Sequence, residues 1–217
     1  AQAITDDSFA HLGEWLVCGH TEQQCAMDLE YWLRSHGADG LAFESIIASG
    51  PNAANPHAVP SGRVLEAGDL VVCDYGARYH GYDADMTRTV CVGKPTDEQR
   101  RIYDATLAAQ TAVLEALKPG VTGAEMHQLA ADTMDEYGDY SKYFMHALGH
   151  GVGLFIHEEP TLAPRVDKPL VPGNVVTVEP GIYVKGLCGV RIEDYGVITQ
   201  DGFEDFTRSP HRLITLA

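Results

Sequence analysis

Leu65-Glu66-Ala67-Gly68-Asp69-Leu70-Val71-Val72-Cys73-Asp74 and Leu170-Val171-Pro172-Gly173-Asn174-Val175-Val176-Thr177-Val178-Glu179 follow one pattern. In each, a glycine turn feeds an apolar run rich in β-branched residues, and an acid arrives six residues after the glycine. Such runs read as strands. Upstream of each stands a His-x-x-Pro, His57 to Pro60 and His157 to Pro160. Two matches in the same order predict two similar α+β halves packed about a pseudo-twofold axis. The period is too long for a solenoid.

Working outward, each half has a pair of helical segments. Residues about 5–18 place Phe9, Leu12 and Leu16 on one face. Residues about 22–36 open with Thr21 and Gln24, carry Leu29, Trp32 and Leu33, and stop at Gly37. Residues 97–117 open with Thr96 and Gln99 and stop before Pro119-Gly120. Residues 123–137 open with Thr122 and Glu125, carry Met126, Leu129, Ala130, Thr133 and Tyr137, and stop at Gly138. Thr followed three residues later by Gln or Glu is a capping box, and a trailing Gly is a helix stop.

The strands predict two hairpins. Leu70–Tyr75 and Tyr82–Val92 flank a short loop centred near Tyr79 and His80, which sets Asp74 opposite Asp85. Val175–Glu179 and Gly189–Thr199 turn at Gly186, which sets Glu179 opposite Glu193. Directly opposed Cβ atoms lie about 4.5–5.5 Å apart. Facing carboxylates in a half-buried sheet repel unless a proton or cation neutralises them. The pseudo-symmetry brings the two pairs together, and two divalent ions balance four carboxylates.

A lone strand Asp is usually a turn or surface residue, and a lone His is usually hydrogen-bonded or exposed. The joint pattern carries the reading: two acid pairs plus His150, set among Gly149, Gly151 and Gly153. Carboxylates with one imidazole suit Mn²⁺, Co²⁺, Zn²⁺ or Fe²⁺. Gly149-x-Gly151-x-Gly153 lacks the strand–turn–helix setting of a phosphate loop, and His157-Glu158-Glu159-Pro160 is not His-Glu-x-x-His. No Gly-x-Ser-x-Gly is present.

The bulk properties agree. At 217 residues, 45% hydrophobic and 21% charged, the chain can bury a core as one domain over 1–217. A formal charge of −16 argues against nucleic acid as a partner. No apolar run is long enough to span a membrane. Ala1–Asp7 lacks the basic and apolar regions of a signal peptide, and without an initiator Met the chain fits a processed form or an excised piece. Five cysteines without framework spacing read as reduced, mostly buried thiols of a cytoplasmic protein.

These residues resemble the creatinase/prolidase/methionine-aminopeptidase superfamily, the pita-bread metallopeptidases. The resemblance spans nearly the whole chain. It rests on Asn55-Pro56-His57, Asp74-Tyr75-Gly76-Ala77, Asp85-Met86-Thr87-Arg88-Thr89, Gly149 to Gly153, His157-Glu158-Glu159-Pro160, Glu179-Pro180-Gly181-Ile182-Tyr183 and Val190-Arg191-Ile192-Glu193-Asp194. It implies a curved antiparallel sheet covered by helices. It implies that Asp74 holds one metal ion, that His150 and Glu179 hold another, and that Asp85 and Glu193 bridge them; Mn²⁺ is the expected ion.

His146, four residues before His150, is similar to the Xaa-Pro branch, meaning aminopeptidase P and prolidase. The implied activity is metal-dependent hydrolysis of an N-terminal Xaa-Pro bond. Glu179 is then the proton shuttle, and His57 and His157 line the pocket and hydrogen-bond the substrate backbone or the tetrahedral intermediate. His146 contacts the prolyl residue or its carboxylate, while Tyr183 and Arg191 bind substrate or support the sheet. Methionine-aminopeptidase-like activity and a non-catalytic peptide-binding role are the alternatives. Xaa-Pro enzymes generally carry a further N-terminal α/β domain, absent from these residues, which leaves substrate length and homodimer formation open.

Overall fold

The computed structural model of the chain describes residues 1–216. Its helices are α1 (Gln2–Ala10), α2 (Leu12–Trp15), α3 (Glu22–Ser35), α4 (Asp97–Ala116) and α5 (Gly123–Glu136). In the first half the strands are β1 (Gly40–Leu41), β2 (Ile46–Ser49), β3 (Leu70–Tyr75), β4 (Ala77–Tyr79), β5 (Tyr82–Asp83) and β6 (Met86–Val92). The second half has β7 (Gly149–Gly151), β8 (Glu158–Leu162), β9 (Val175–Val178), β10 (Gly181–Val184), β11 (Cys188–Arg191), β12 (Asp194–Ile198) and β13 (Phe203–Asp205). β14 (Thr215–Leu216) returns to the first half.

All three expected capping boxes form, at Thr21/Gln24, Thr96/Gln99 and Thr122/Glu125. Each satisfies two backbone N–H groups that a helix start leaves unpaired. The expected helix over 5–18 is instead two helices that begin at Gln2 and break at His11. The Trp15 indole N–H takes the Ser8 carbonyl at 2.9 Å, an acceptor that a continuous helix needs for Leu12. In α5 the buried stripe is Met126, Ala130 and Met134; Thr133 is half-buried and Tyr137 is exposed.

The halves repeat as the sequence implied. One sheet runs β14-β6-β3-β2 and the other β13-β12-β9-β7-β8. All pairings within them are antiparallel except β14 with β6. Leu65 and Leu170 are both buried, and Gly68 and Gly173 take φ of +96° and +91°. Gly19 N donates to Leu65 O as Gly120 N does to Leu170 O, and Val92 N to Asp69 O as Ile198 N does to Asn174 O. Each half has its own core: α1–α3 pack on β3 and β6, while α4 and α5 pack against the second-half strands.

The first hairpin turns one residue later than expected. Tyr79 pairs with Tyr82 around His80 (φ +51°) and Gly81 (φ +84°), so two consecutive left-handed residues close a two-residue turn. The register then sets Asp74 opposite Thr87 rather than Asp85. Asp85 sits between β5 and β6, where Gly76 allows a close crossing; a Cβ there would lie 1.7 Å from Ala84 O. The second hairpin turns as expected, with Val184 paired to Cys188 about Gly186 (φ +81°). It is broken into β9–β12 and β10–β11, and Glu179 and Glu193 sit at the breaks. Interruptions of a ladder re-aim side chains, which is what the three acids require.

All five cysteines are free; four are buried and Cys18 is exposed. No helix among the described residues is long and apolar enough to cross a membrane.

Candidate metal centre

A cavity of about 290 Å³ opens where the halves meet. Its wall includes Asp74, Asp85, His150, Glu179 and Glu193, together with His57, His146, His157 and Arg191. β3 carries Asp74 one residue before its end, β7 carries His150, and the strand breaks carry the other three acids. The halves are stitched beside it: Glu193 N donates to Thr87 O, and Thr89 Oγ1 donates to Arg191 O.

His150 is held tightly. Its backbone N–H donates to Thr177 Oγ1, and its Nδ1 lies 3.0 Å from Gly151 O. A carbonyl only accepts, so Nδ1 carries the proton. Nε2 then faces Glu179 Oε1 at 3.3 Å and Asp85 Oδ2 at 3.5 Å. A bare nitrogen lone pair cannot face two carboxylates without a proton or a cation between. Metal-bound histidines show this arrangement, with the far N–H given to a carbonyl. By the protein's own charges, burial would push His150 down, but the Glu179 and Asp85 carboxylates lift it to about 9.

The acids carry the same message. Burial pushes Asp74 up, and it pushes Asp85 and Glu193 far above the carboxylate range, with the neighbouring acids adding to it for all three. Glu179 goes the other way: despite burial, its hydrogen bond to His150 holds it low. Asp74 Oδ1 and Glu193 Oε1 are buried without a hydrogen-bond partner among the described residues. Unpaired buried carboxylate oxygens are costly. Ligand atoms of Asp85, His150 and Glu193 lie within 4.8 Å of one another. Orphaned oxygens, an acid-facing imidazole and a hard donor set fit a divalent cation.

Arg191 changes the charge count. Its Nη2 donates to Asp74 Oδ2 at 2.5 Å, its Nη1 to Tyr183 OH at 2.6 Å and Pro56 O at 3.3 Å, and its Nε to Thr87 Oγ1 at 3.1 Å. Four acids and one guanidinium sum to −3, so a single dication leaves −1 and two leave +1. A balance of two dications against four carboxylates leaves this arginine out. Charge alone therefore accommodates one or two ions, and the two-ion reading rests on the five-residue donor set.

The remaining expected residues divide. His57 and His157 line the cavity and are exposed, with the His157 ring edge-on to His150 at 4.5 Å. Burial and the neighbouring His150 lower the His157 pKa. His146 lines the cavity, but both ring nitrogens are engaged inside the protein: Nδ1 with Ala147 O at 2.7 Å and Nε2 with Tyr183 OH at 2.8 Å. Burial lowers its pKa, in keeping with a neutral ring. Its free surface is carbon. Tyr183 is buried behind the wall, relaying Arg191 to His146.

Residues not singled out in the sequence also build the site. Phe43, Ile46, Pro56 and Ile156 supply its apolar walls. Thr87 Oγ1 donates to Glu193 Oε2 at 2.6 Å, and Thr177 Oγ1 reaches Glu179. For Thr87, the sequence signal is its position two residues beyond Asp85 within the expected strand Tyr82–Val92, where alternate residues share a face. A second grouping, Asp194, Asp205 and His211, lies outside the cavity. Asp194 is satisfied there by Arg88, Gln110 and His211, and Arg88 is fully buried with it.

Two halves related by a pseudo-twofold axis, with their acids meeting at it, define a pita-bread metallopeptidase fold. Residues 1–200 match metallopeptidase family M24, and the chain belongs to that family. It is 46% identical over its whole length to an uncharacterized peptidase, YqhT, of Bacillus subtilis, and covers 61% of that protein. It is 44% identical over 211 residues to an Xaa-Pro dipeptidase of Pyrococcus furiosus, covering 97% of this chain and 60% of that one. Among solved structures, an Xaa-Pro dipeptidase from Bacillus anthracis superposes with a TM-score of 0.97 at 46% identity, over 100% of this chain and 61% of that one. An X-Pro aminopeptidase from Thermotoga maritima gives 0.96 at 41%, with the same coverage. The chain thus spans about three-fifths of the length of the relatives it matches.

Proposed function

We propose that this chain is the catalytic part of a two-metal exopeptidase that hydrolyses the N-terminal Xaa-Pro bond of peptides, as an Xaa-Pro aminopeptidase or dipeptidase. The observation that carries the reading is the convergence of Asp74, Asp85, His150, Glu179 and Glu193 on one cavity. The names printed for its relatives support the Xaa-Pro substrate class.

Asp74, Asp85, His150, Glu179 and Glu193 would hold the ions, with Mn²⁺ the expected metal. Bound there, divalent ions lower the pKa of water and polarise the scissile carbonyl. The rest falls to the chain's own side chains. Glu179 takes a proton from the attacking water and returns it to the leaving nitrogen. His57 and His157 hydrogen-bond the substrate backbone as charge develops on its oxygen. His146 offers its carbon face to the prolyl ring and draws rigidity from Tyr183 and Arg191. Phe43, Ile46 and Ile156 complete an apolar wall suited to a proline.

The test is cleavage of Ala-Pro, Ala-Pro-Ala and Met-Ala-Ser by protein stripped of metal and reloaded with Mn²⁺ or Co²⁺. At least one of the first two is expected to be cut, Ala-Pro by a dipeptidase and Ala-Pro-Ala by an aminopeptidase, and the third spared, with chelation abolishing turnover. Metal-loaded protein that leaves both prolyl peptides intact refutes the proposal.

A further inference from the structure

The site's His57 stands on the loop between Ser49, the end of β2, and Ser61. That loop packs around a buried carboxylate with no part in the cavity. Glu22, the first residue of α3, is fully buried. Its Oε1 accepts from Ser49 N and Ser49 Oγ, each at 2.7 Å. Its Oε2 accepts from Ser61 N at 3.0 Å and Ser61 Oγ at 2.6 Å. Asn52 Nδ2 donates to both oxygens at 3.2 Å. One side chain therefore grips the loop at its beginning, in its first turn and at its end.

The neighbouring groups brace this grip rather than compete with it. Arg63 Nη1 donates to Ser49 Oγ at 2.6 Å, while the same guanidinium makes a two-pronged ion pair with Asp69. Between the gripped ends, the loop presents Pro56 and His57 to the cavity. Pro56 O accepts from Arg191, the residue that neutralises Asp74, and His57 N donates to Asn55 Oδ1. A single ionised carboxylate thus sets the path of the segment that aligns a cavity histidine with the acids. Hydrogen bonds to a buried charge are roughly twice as strong as neutral ones, which suits this purpose.

We propose that Glu22 is a positioning residue of the candidate site, clamping both ends of the Ser49–Ser61 loop and so fixing His57 at the cavity wall. The role in turnover rests on the peptidase reading above; the clamp itself does not. Glu22→Gln keeps the volume but turns an all-acceptor group into one that also donates, so it clashes with the serine N–H groups.

Amide hydrogen exchange and a double-mutant cycle with His57→Ala together test it, in metal-loaded protein. In Glu22→Gln, exchange over residues 50–60 is expected to rise at least roughly tenfold while β3, β9 and β12 stay protected. Its loss of kcat/KM on whichever of Ala-Pro and Ala-Pro-Ala the wild type cuts is expected to vanish in the His57→Ala background, and bound metal to stay at the wild-type level. Ser61→Ala, a milder change, serves if Glu22→Gln does not fold. Exchange that rises evenly over the chain, or an undiminished loss without His57, overturns the proposal. A wild-type protein that cuts no prolyl peptide overturns the peptidase reading instead, and the exchange pattern still decides the clamp.

Discussion

Thr87 and Glu193 are symmetry mates that meet across the pseudo-twofold axis. Val92 and Ile198 are equivalent by their hydrogen bonds, and counting back five residues from each reaches Thr87 and Glu193. The two pair as an antiparallel bridge, and Thr87 Oγ1 donates to Glu193 Oε2 at 2.6 Å. One equivalent position became an acid and the other became its holder. Glu193 is left with one free oxygen, Oε1, fixed in direction. Its replacement by Ala is expected to lower kcat/KM by at least roughly a thousandfold, the scale of losing a group that orders a metal-assisted transition state. Circular dichroism should be unchanged. Near-normal turnover would remove Glu193 from the ligand set.

Arg191 is the electrostatic counterweight of the site. Replacing it with Met leaves Asp74 buried without its cation, a loss on the order of 3–5 kcal/mol for a broken buried pair. Urea unfolding of the chelated protein measures this. The deficit should shrink when Mn²⁺ is added, because the ion then takes over the charge of Asp74. A deficit unaffected by metal would place the role of Arg191 in packing alone.

Metal removal is expected to lower the thermal midpoint. An ion that binds only the folded state stabilises it by about 2.7 kcal/mol at a hundred times its dissociation constant. Calorimetry with and without a chelator, and with Mn²⁺ restored, should show a reversible shift. The same shift should be lost in a His150→Ala protein. Identical midpoints for wild type in chelator and in Mn²⁺ would argue against a cation at these acids.

Two acids away from the cavity carry opposite pH dependences. Burial alone would raise Glu22, but the bonds from Ser61 and Ser49 hold it below its ordinary 4.5. Its stabilisation is therefore full above that value and is lost as pH falls through the folded-state value, so the gap between wild type and Glu22→Gln should close in acid. Burial, then the charge of Asp194, raises Asp205 from 3.8 to about 6. The folded state thus favours its protonated form, and stability falls as pH rises through that window. Asp205→Asn should remove that fall. Urea midpoints measured across the acid range decide both signs.

Tyr183→Phe probes the relay behind the wall. It removes the hydroxyl that accepts from Arg191 and donates to His146. With the metal donors untouched, metal content should hold while kcat on prolyl peptides falls by roughly tenfold to a hundredfold, as for loss of one oriented hydrogen bond. Equal loss of metal would mean that the relay supports the ligands rather than the substrate face.

Much of this is legible in the chain itself. The capping boxes at Thr21, Thr96 and Thr122 are local, because four consecutive residues contain both partners. Gly186 announced its turn, since a left-handed residue between two apolar runs has few other uses. The first hairpin was less legible. His80-Gly81 carries its turn, and a positive φ is uncommon for any residue but glycine, so spacing alone centres the turn one residue early and sets Asp74 opposite Asp85 instead of Thr87. The break at His11 was hidden because its cause, the Trp15 indole on Ser8 O, is a side chain folding back on its own helix.

The sequence by itself determined the two-half plan, the acids carried on its two hairpins, and His150 among its glycines, because these are written in periodicity, turns and spacing along the chain. Tertiary structure alone decided that Arg191 neutralises Asp74, that Thr87 steadies Glu193, that the nitrogens of His146 face inward, and that Glu22 grips the loop of His57. Each of these joins residues of distant segments. Which charges share a low-dielectric space, and which donors reach them, is set by how the two halves close on each other, and no local pattern encodes that.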